Sequence, residues 1–207
     1  MLIEPEDLPA NNYSLLARLE HDQIVPFIRA YLQKRTMYAI GYYLINILNL
    51  IAIAYLFFTN YGAANFSMEK GFSYLAYGIA IAFTLVPLHE YIHVLAYRSQ
   101  GAANTSYDAQ IKKFIFMAIA DRFVANKKEF TIVALAPFVL ITGTLIIALF
   151  IAGLYGQFLV LGILFTHTAC CSGDFGLMSF FEYNKRKKPV TYDDVVNKVS
   201  YFYGENV

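Results

Sequence analysis

The stretch Gly71–His93 reads GFSYLAYGIAIAFTLVPLHEYIH, and its first 18 residues, through Leu88, carry no charge. A run of this length and character predicts a membrane-crossing helix, where ionisable groups are costly unless they serve a purpose. His89 and His93 stand four apart, so on a helix they share a face about one turn apart and can reach one metal ion. Glu90 follows the first histidine and falls beside the position that a water on such an ion would take. Two imidazoles suit Zn²⁺, and a carboxylate beside that water is what general-base hydrolysis needs. His-Glu-x-x-His is the spacing of a hydrolytic zinc helix.

Outward from this stretch the chain stays apolar. Hydrophobic residues make up 58% of the 207, charged ones only 15%, and mean hydropathy is +0.47. Those values exceed the apolar share of a soluble protein. A net charge of +1 with no sustained basic face excludes a nucleic-acid binder. Met37–Thr59 is an uncharged run of 23 residues, and residues 131–173 hold no Asp, Glu, Lys or Arg at all. The second run is too long for one span, and Ala152–Gln157 supplies its turn. The sequence therefore predicts an all-α polytopic membrane protein with four transmembrane helices, at 37–59, 71–97, 131–152 and 157–180. Asn46 and Asn49 inside the first span should face neighbouring helices. Pro87 should disturb the second near Phe83, one turn earlier.

Three segments flank these spans. Residues 1–36 read as a cytosolic amphipathic segment, helical and broken near Pro26, with His21 on its surface. Met1–Ala10 carries Glu4, Glu6 and Asp7 without an apolar core, so the first span is expected to direct insertion itself. Residues 98–130 form a loop in which Ile111–Val124 fits a strand or a short interfacial helix; an exposed edge there could present a peptide. Residues 182–207 are a basic tail, expected to be helical from Tyr192 to Tyr203. Arg18, Arg29, Lys34 and Arg35 precede the first span, six Lys or Arg lie in 98–128, and Lys185–Lys188 follow the fourth span. The positive-inside rule thus expects a multi-pass plasma-membrane protein with both termini in the cytosol. The spans form one domain, residues 37–181. Cys170 and Cys171 are adjacent, lack zinc-site spacing, and read as small packing residues.

A catalytic zinc site takes three protein ligands and a water. His89 lies 18 residues beyond Gly71, about 27 Å along a helix, and Asp174 lies 17 residues beyond Gln157, about 26 Å. Matching depth, and its place as the lone acid between Thr131 and Phe181, make Asp174 the expected third ligand. By the same count His167 is some 12 Å too shallow, so it and Pro137, which shares the level of the site, are expected to support it rather than bind the metal.

His89-Glu90-x-x-His93 in a membrane span, followed by Leu135-Ala136-Pro137-Phe138 and Cys171-Ser172-Gly173-Asp174, resembles the putative zincin peptidase family of small bacterial membrane proteins. That family is similar to site-2-type intramembrane metalloproteases. The likeness covers roughly residues 71–180. It implies zinc, His89 and His93 as ligands, Glu90 as base and Asp174 as third ligand. Here Gly173 precedes Asp174, whereas site-2 proteases carry Asp before Gly.

The expected function is zinc-dependent hydrolysis of a peptide bond in or beside the bilayer, near the cytosolic face, with a membrane protein or peptide as substrate. The alternative is a non-catalytic membrane protein whose metal is structural or regulatory. That alternative would close the site with a fourth ligand, His167 or Cys171.

Overall fold

A computed structural model of the chain describes residues 3–110 and 115–206. In chain order its elements are β1 (Tyr13–Glu20), α1 (Ile24–Leu32), α2 (Met37–Asn60), α3 (Met68–Ala82), α4 (Val86–Ser99), β2 (Thr105–Gln110), β3 (Ile115–Ala120), β4 (Ala125–Asn126), α5 (Lys127–Ile151), α6 (Leu154–Cys170), α7 (Ser172–Tyr183), β5 (Val190–Asp194) and β6 (Val199–Glu205). They fall into two compact units. One gathers Met1–Ala39, Glu90–Ala136 and Gly173–Val207; the other gathers Ile40–His89 and Pro137–Ser172.

The second unit is helical. α3 and α6 cross at Gly78 and Gly162, where no side chain fits. A Cβ at Gly78 would lie 2.1 Å from the Leu159 carbonyl oxygen, and one at Gly162 would lie 2.3 Å from that of Leu75. This close approach of small residues is how helices associate where water supplies no drive. α2 packs on α6 through polar groups. Asn49 donates to Thr168 Oγ1 at 2.9 Å, Thr168 donates to Asn46 Oδ1 at 3.2 Å, and the Tyr42 hydroxyl donates to the Ala169 carbonyl at 3.0 Å. Asn46 and Asn49 thus face a neighbouring helix, as their spacing suggested.

Met37–Asn60, Met68–Ser99 and Lys127–Ile151 are long and apolar enough to cross a membrane, and their most apolar windows are only 6%, 17% and 22% buried. Ile147, Phe150 and Ile151 stand exposed on α5, as do Ile51, Tyr55 and Phe58 on α2. Such faces are suited to lipid. The expected fourth span is two helices, α6 and α7, with a break at Cys171. The second span breaks where Pro87 foretold, in a 3₁₀ turn at Phe83–Leu85.

The first unit corrects the all-α expectation. It contains an antiparallel sheet in the order β1-β6-β5-β4 and a separate β2–β3 hairpin. Leu15, Leu16 and Leu19 belong to β1, not to an amphipathic helix, and pair with a strand from the other end of the chain, Tyr13 opposite Glu205 and Glu20 opposite Val199. Pro26 does not break the helix that follows, because it sits in the first turn of α1, where amide hydrogens lack helical acceptors anyway. The tail expected to be helical is the β5–β6 hairpin, with Tyr192 stacked on Tyr201 at 5.1 Å. The 98–130 loop is strand from Ile115 to Ala120; residues 111–114, part of the segment read as strand or helix, lie outside the described residues.

Aromatic rings fill the core of this unit. Phe180 meets Phe202 at 4.6 Å, and Phe130 stacks on Phe181 at 4.7 Å. α5 starts on a reciprocal cap: Asn126 Oδ1 accepts from the amides of Lys128 and Glu129, and Glu129 accepts from the amide of Asn126. His21 is not on the surface. It is 2% exposed, with Nδ1 3.6 Å from Asp108 of β2, and it sits near Ser200, which donates to Asp193. Burial pushes the Asp193 carboxyl above its usual range. Of the two cysteines Cys171 is buried and Cys170 exposed, so the packing expectation holds only for the first.

The α3–α6 crossing gives a clear expectation. Gly78→Ala drives a methyl into backbone, which cannot rotate away. It should cost the protein about 1–3 kcal/mol, as overpacking does. Gly143→Ala in α5, where a Cβ meets nothing within 4 Å, should be neutral or stabilising. Thermal midpoints of both variants in detergent check this.

Candidate metal centre

α4 carries His89, Glu90 and His93, and within this one helix a ligand atom from each lies within 4.8 Å of the others. His93 is 7% exposed. Its Nδ1 lies 2.9 Å from the Val133 carbonyl oxygen. A carbonyl only accepts, so Nδ1 carries a hydrogen, and Nε2 is the nitrogen left facing Asp174. That leaves Nε2 as the nitrogen able to meet a metal, an arrangement like the one that orients ligating histidines elsewhere.

The Val133 carbonyl is available for a reason written in the sequence. Its helical partner would be the amide four residues on, and that residue is Pro137, inside α5. Pro137 has no N–H, so the carbonyl of Val133 takes its hydrogen from His93 instead. Sequence depth singled out Pro137. The residue through which it acts, Val133, was missed, although counting back four from the proline would have found it.

His93 Nε2 lies 3.2 Å from Asp174 Oδ1. Two ligands of a tetrahedral zinc, each about 2.0–2.1 Å from the metal, stand about 3.4 Å apart. The pair is therefore already spaced as neighbouring ligands. Asp174 lies in the first turn of α7, where unpaired helix amides favour a carboxylate. Glu90 is turned to other company: its Oε2 accepts the amide of Ala118 in β3 at 2.8 Å. Ala118 is a second backbone contributor that residue types alone could not reveal.

His167 corrects the depth count. Its ring centroid is 5.5 Å from that of His89, not displaced by some 12 Å. The depth count treated the second span as one straight helix, whereas a 3₁₀ turn at Phe83–Leu85 interrupts it and α4 begins at Val86, three residues before His89. His89, His167 and Cys171 also form a group whose ligand atoms lie within 4.8 Å of one another. The residues present thus fit a metal of the zinc type, through imidazole and carboxylate donors, and His93 has its outer partner in place at Val133.

Comparison with known proteins agrees. Searches of curated proteins and of solved structures return no match. A family model described as "Putative zincin peptidase" matches residues 82–188, a span that takes in α4, the β2–β3 hairpin, α5, α6 and α7. The chain belongs to the putative zincin peptidase family.

Proposed function

We propose that this protein is a membrane-embedded zinc metallopeptidase that cleaves a peptide bond in or beside the bilayer, near the cytosolic face, in a membrane protein or peptide substrate. The observation that carries this reading is the His93–Asp174 pair at ligand spacing, with the His93 ring oriented by the Val133 carbonyl. His89, His93 and Asp174 would hold the ion, and His89 and His93 do so from one face of α4. Zinc, when bound, supplies a Lewis acid that polarises the scissile carbonyl and makes water more acidic. Glu90 takes a proton from the attacking water on a carboxylate oxygen and returns it to the leaving amine nitrogen. To do so its Oε2 exchanges the Ala118 amide for water, so β3 holds the base still until substrate arrives. The exposed apolar faces of α2, α3 and α5 support lipid as the surroundings, and the clusters at 18–35, 98–128 and 185–188 support cytosolic termini in a plasma membrane.

Glu90→Gln should keep its zinc and lose peptide hydrolysis by at least two orders of magnitude, in line with removal of a general base. Zinc content and cleavage of a membrane-protein substrate check it together. A variant that cleaves as wild type sinks the assignment of the base, and one that loses zinc makes Glu90 a ligand.

Asp174→Asn should bind zinc much more weakly, while His167→Ala should keep it. Metal content of the two purified variants compares them directly.

Pro137→Ala restores an amide that competes for the Val133 carbonyl. Zinc affinity should fall roughly 10–100-fold, as when an outer hydrogen-bond partner of a ligand is lost. Competition with a chelator measures this, and Ala136→Ser, one residue away with no change of amide, serves as the control.

A further inference from the structure

We infer that the helical unit carries a second, sulfur-containing metal site, formed by His89, His167 and Cys171, that takes a thiophilic cation of the Cu⁺ or Cd²⁺ class and competes with the zinc centre for His89. The competition rests on the zinc reading above; the site itself does not.

α6 repeats the logic of α4. His167 and Cys171 stand four apart, so both face the same way, and α6 ends where Cys171 caps it. Cys171 Sγ lies 3.9 Å from His167 Nε2. That is long for a bond between them, yet neighbouring nitrogen and sulfur ligands of a tetrahedral ion stand about 3.6 Å apart, given metal distances of about 2.0–2.1 and 2.3 Å. The imidazole of His89 packs edge-on to that of His167, and all three ligand atoms lie within 4.8 Å. His167 and Cys171 are 4% and 0% exposed, so water competes poorly for an ion held there.

Donor chemistry weights the two sites differently. Two imidazoles and a carboxylate suit zinc; a thiolate with imidazoles binds zinc too, but its sulfur tilts the preference toward softer cations such as Cu⁺ and Cd²⁺. Binding at the second site expels the Cys171 thiol proton to solvent and leaves the sulfur as thiolate. Because His89 belongs to both sets, a soft cation that takes it removes one zinc ligand of three.

The test is titration of the zinc-loaded, full-length protein in detergent with CdCl₂, following the ultraviolet charge-transfer band of cadmium–thiolate ligation and the zinc released. A band that saturates at one cadmium per chain, with one zinc set free, is expected. Cys171→Ser should abolish the band and keep the zinc, Cys170→Ser should change neither, and His167→Gln should weaken cadmium binding at least tenfold. His93→Ala should still show the band, since His93 is not in the set. No band in the wild type, or a band that survives Cys171→Ser, overturns the site. A band without zinc release overturns the sharing of His89. A chain with no zinc to release that nonetheless shows the band sinks the zinc reading and leaves this site standing.

Discussion

A carbonyl buried in a helix needs a donor, and at Val133 the chain has removed the usual one by placing proline four residues on. Much of the site follows from this shortage. The imidazole of His93 meets the need and in doing so is held in one orientation, with Nε2 facing Asp174. The precision of that meeting depends on where α5 and α7 stand within their unit. Phe130 of α5 stacks on Phe181 of α7, and Lys127 pairs with Glu182 at 2.7 Å. On the other side of α7, Ser179 donates to the Tyr31 carbonyl and bonds the Thr36 hydroxyl, each at 2.6 Å. The aromatic core and these polar clamps thus set a 3.2 Å separation between two chemically active groups. An ångström of slack there would leave the residues present and the centre unformed.

How much was legible in the sequence follows from what kind of signal each element sends. The long helices announce themselves by the absence of charge, which is a local property, so α2, α3 and α5 and the break near Pro87 could be read directly. The sheet is different. β1 contains Leu15, 51% exposed, and Leu19, 4% exposed, in a run whose spacing serves a helix as well as a strand. What makes it a strand is β6, nearly the whole chain away, and no local pattern records that. The β5–β6 hairpin was more open to reading, since VTYDD and VSYFYGE are rich in β-branched and aromatic residues and are joined by the short turn at residues 195–198. At the site, side chains with distinctive chemistry, His89, Glu90, His93 and Asp174, could be singled out by type and spacing. The Val133 carbonyl and the Ala118 amide could not, because every residue has such groups. His21 was misread for the same reason as β1: its burial comes from strands that join it from far along the chain.

The pairing of β1 with β6 also sets a birth order. Among the described residues β1 has β6 as its one neighbour in the sheet, and Tyr13 waits for Glu205. While the chain is being made, the early strand has nothing to bond, and its closure spans a loop long enough to carry a real entropic cost. The helices of the second unit, complete by Ser172, can settle first. Asp174 and the aromatic face of α7 come after them, and the sheet that seats α7 comes later still. The carboxylate that faces His93 therefore reaches its place only after those helices have been made. A nascent chain thus carries its histidine helix before the carboxylate that faces His93 has been made, and longer still before the strand that joins β1.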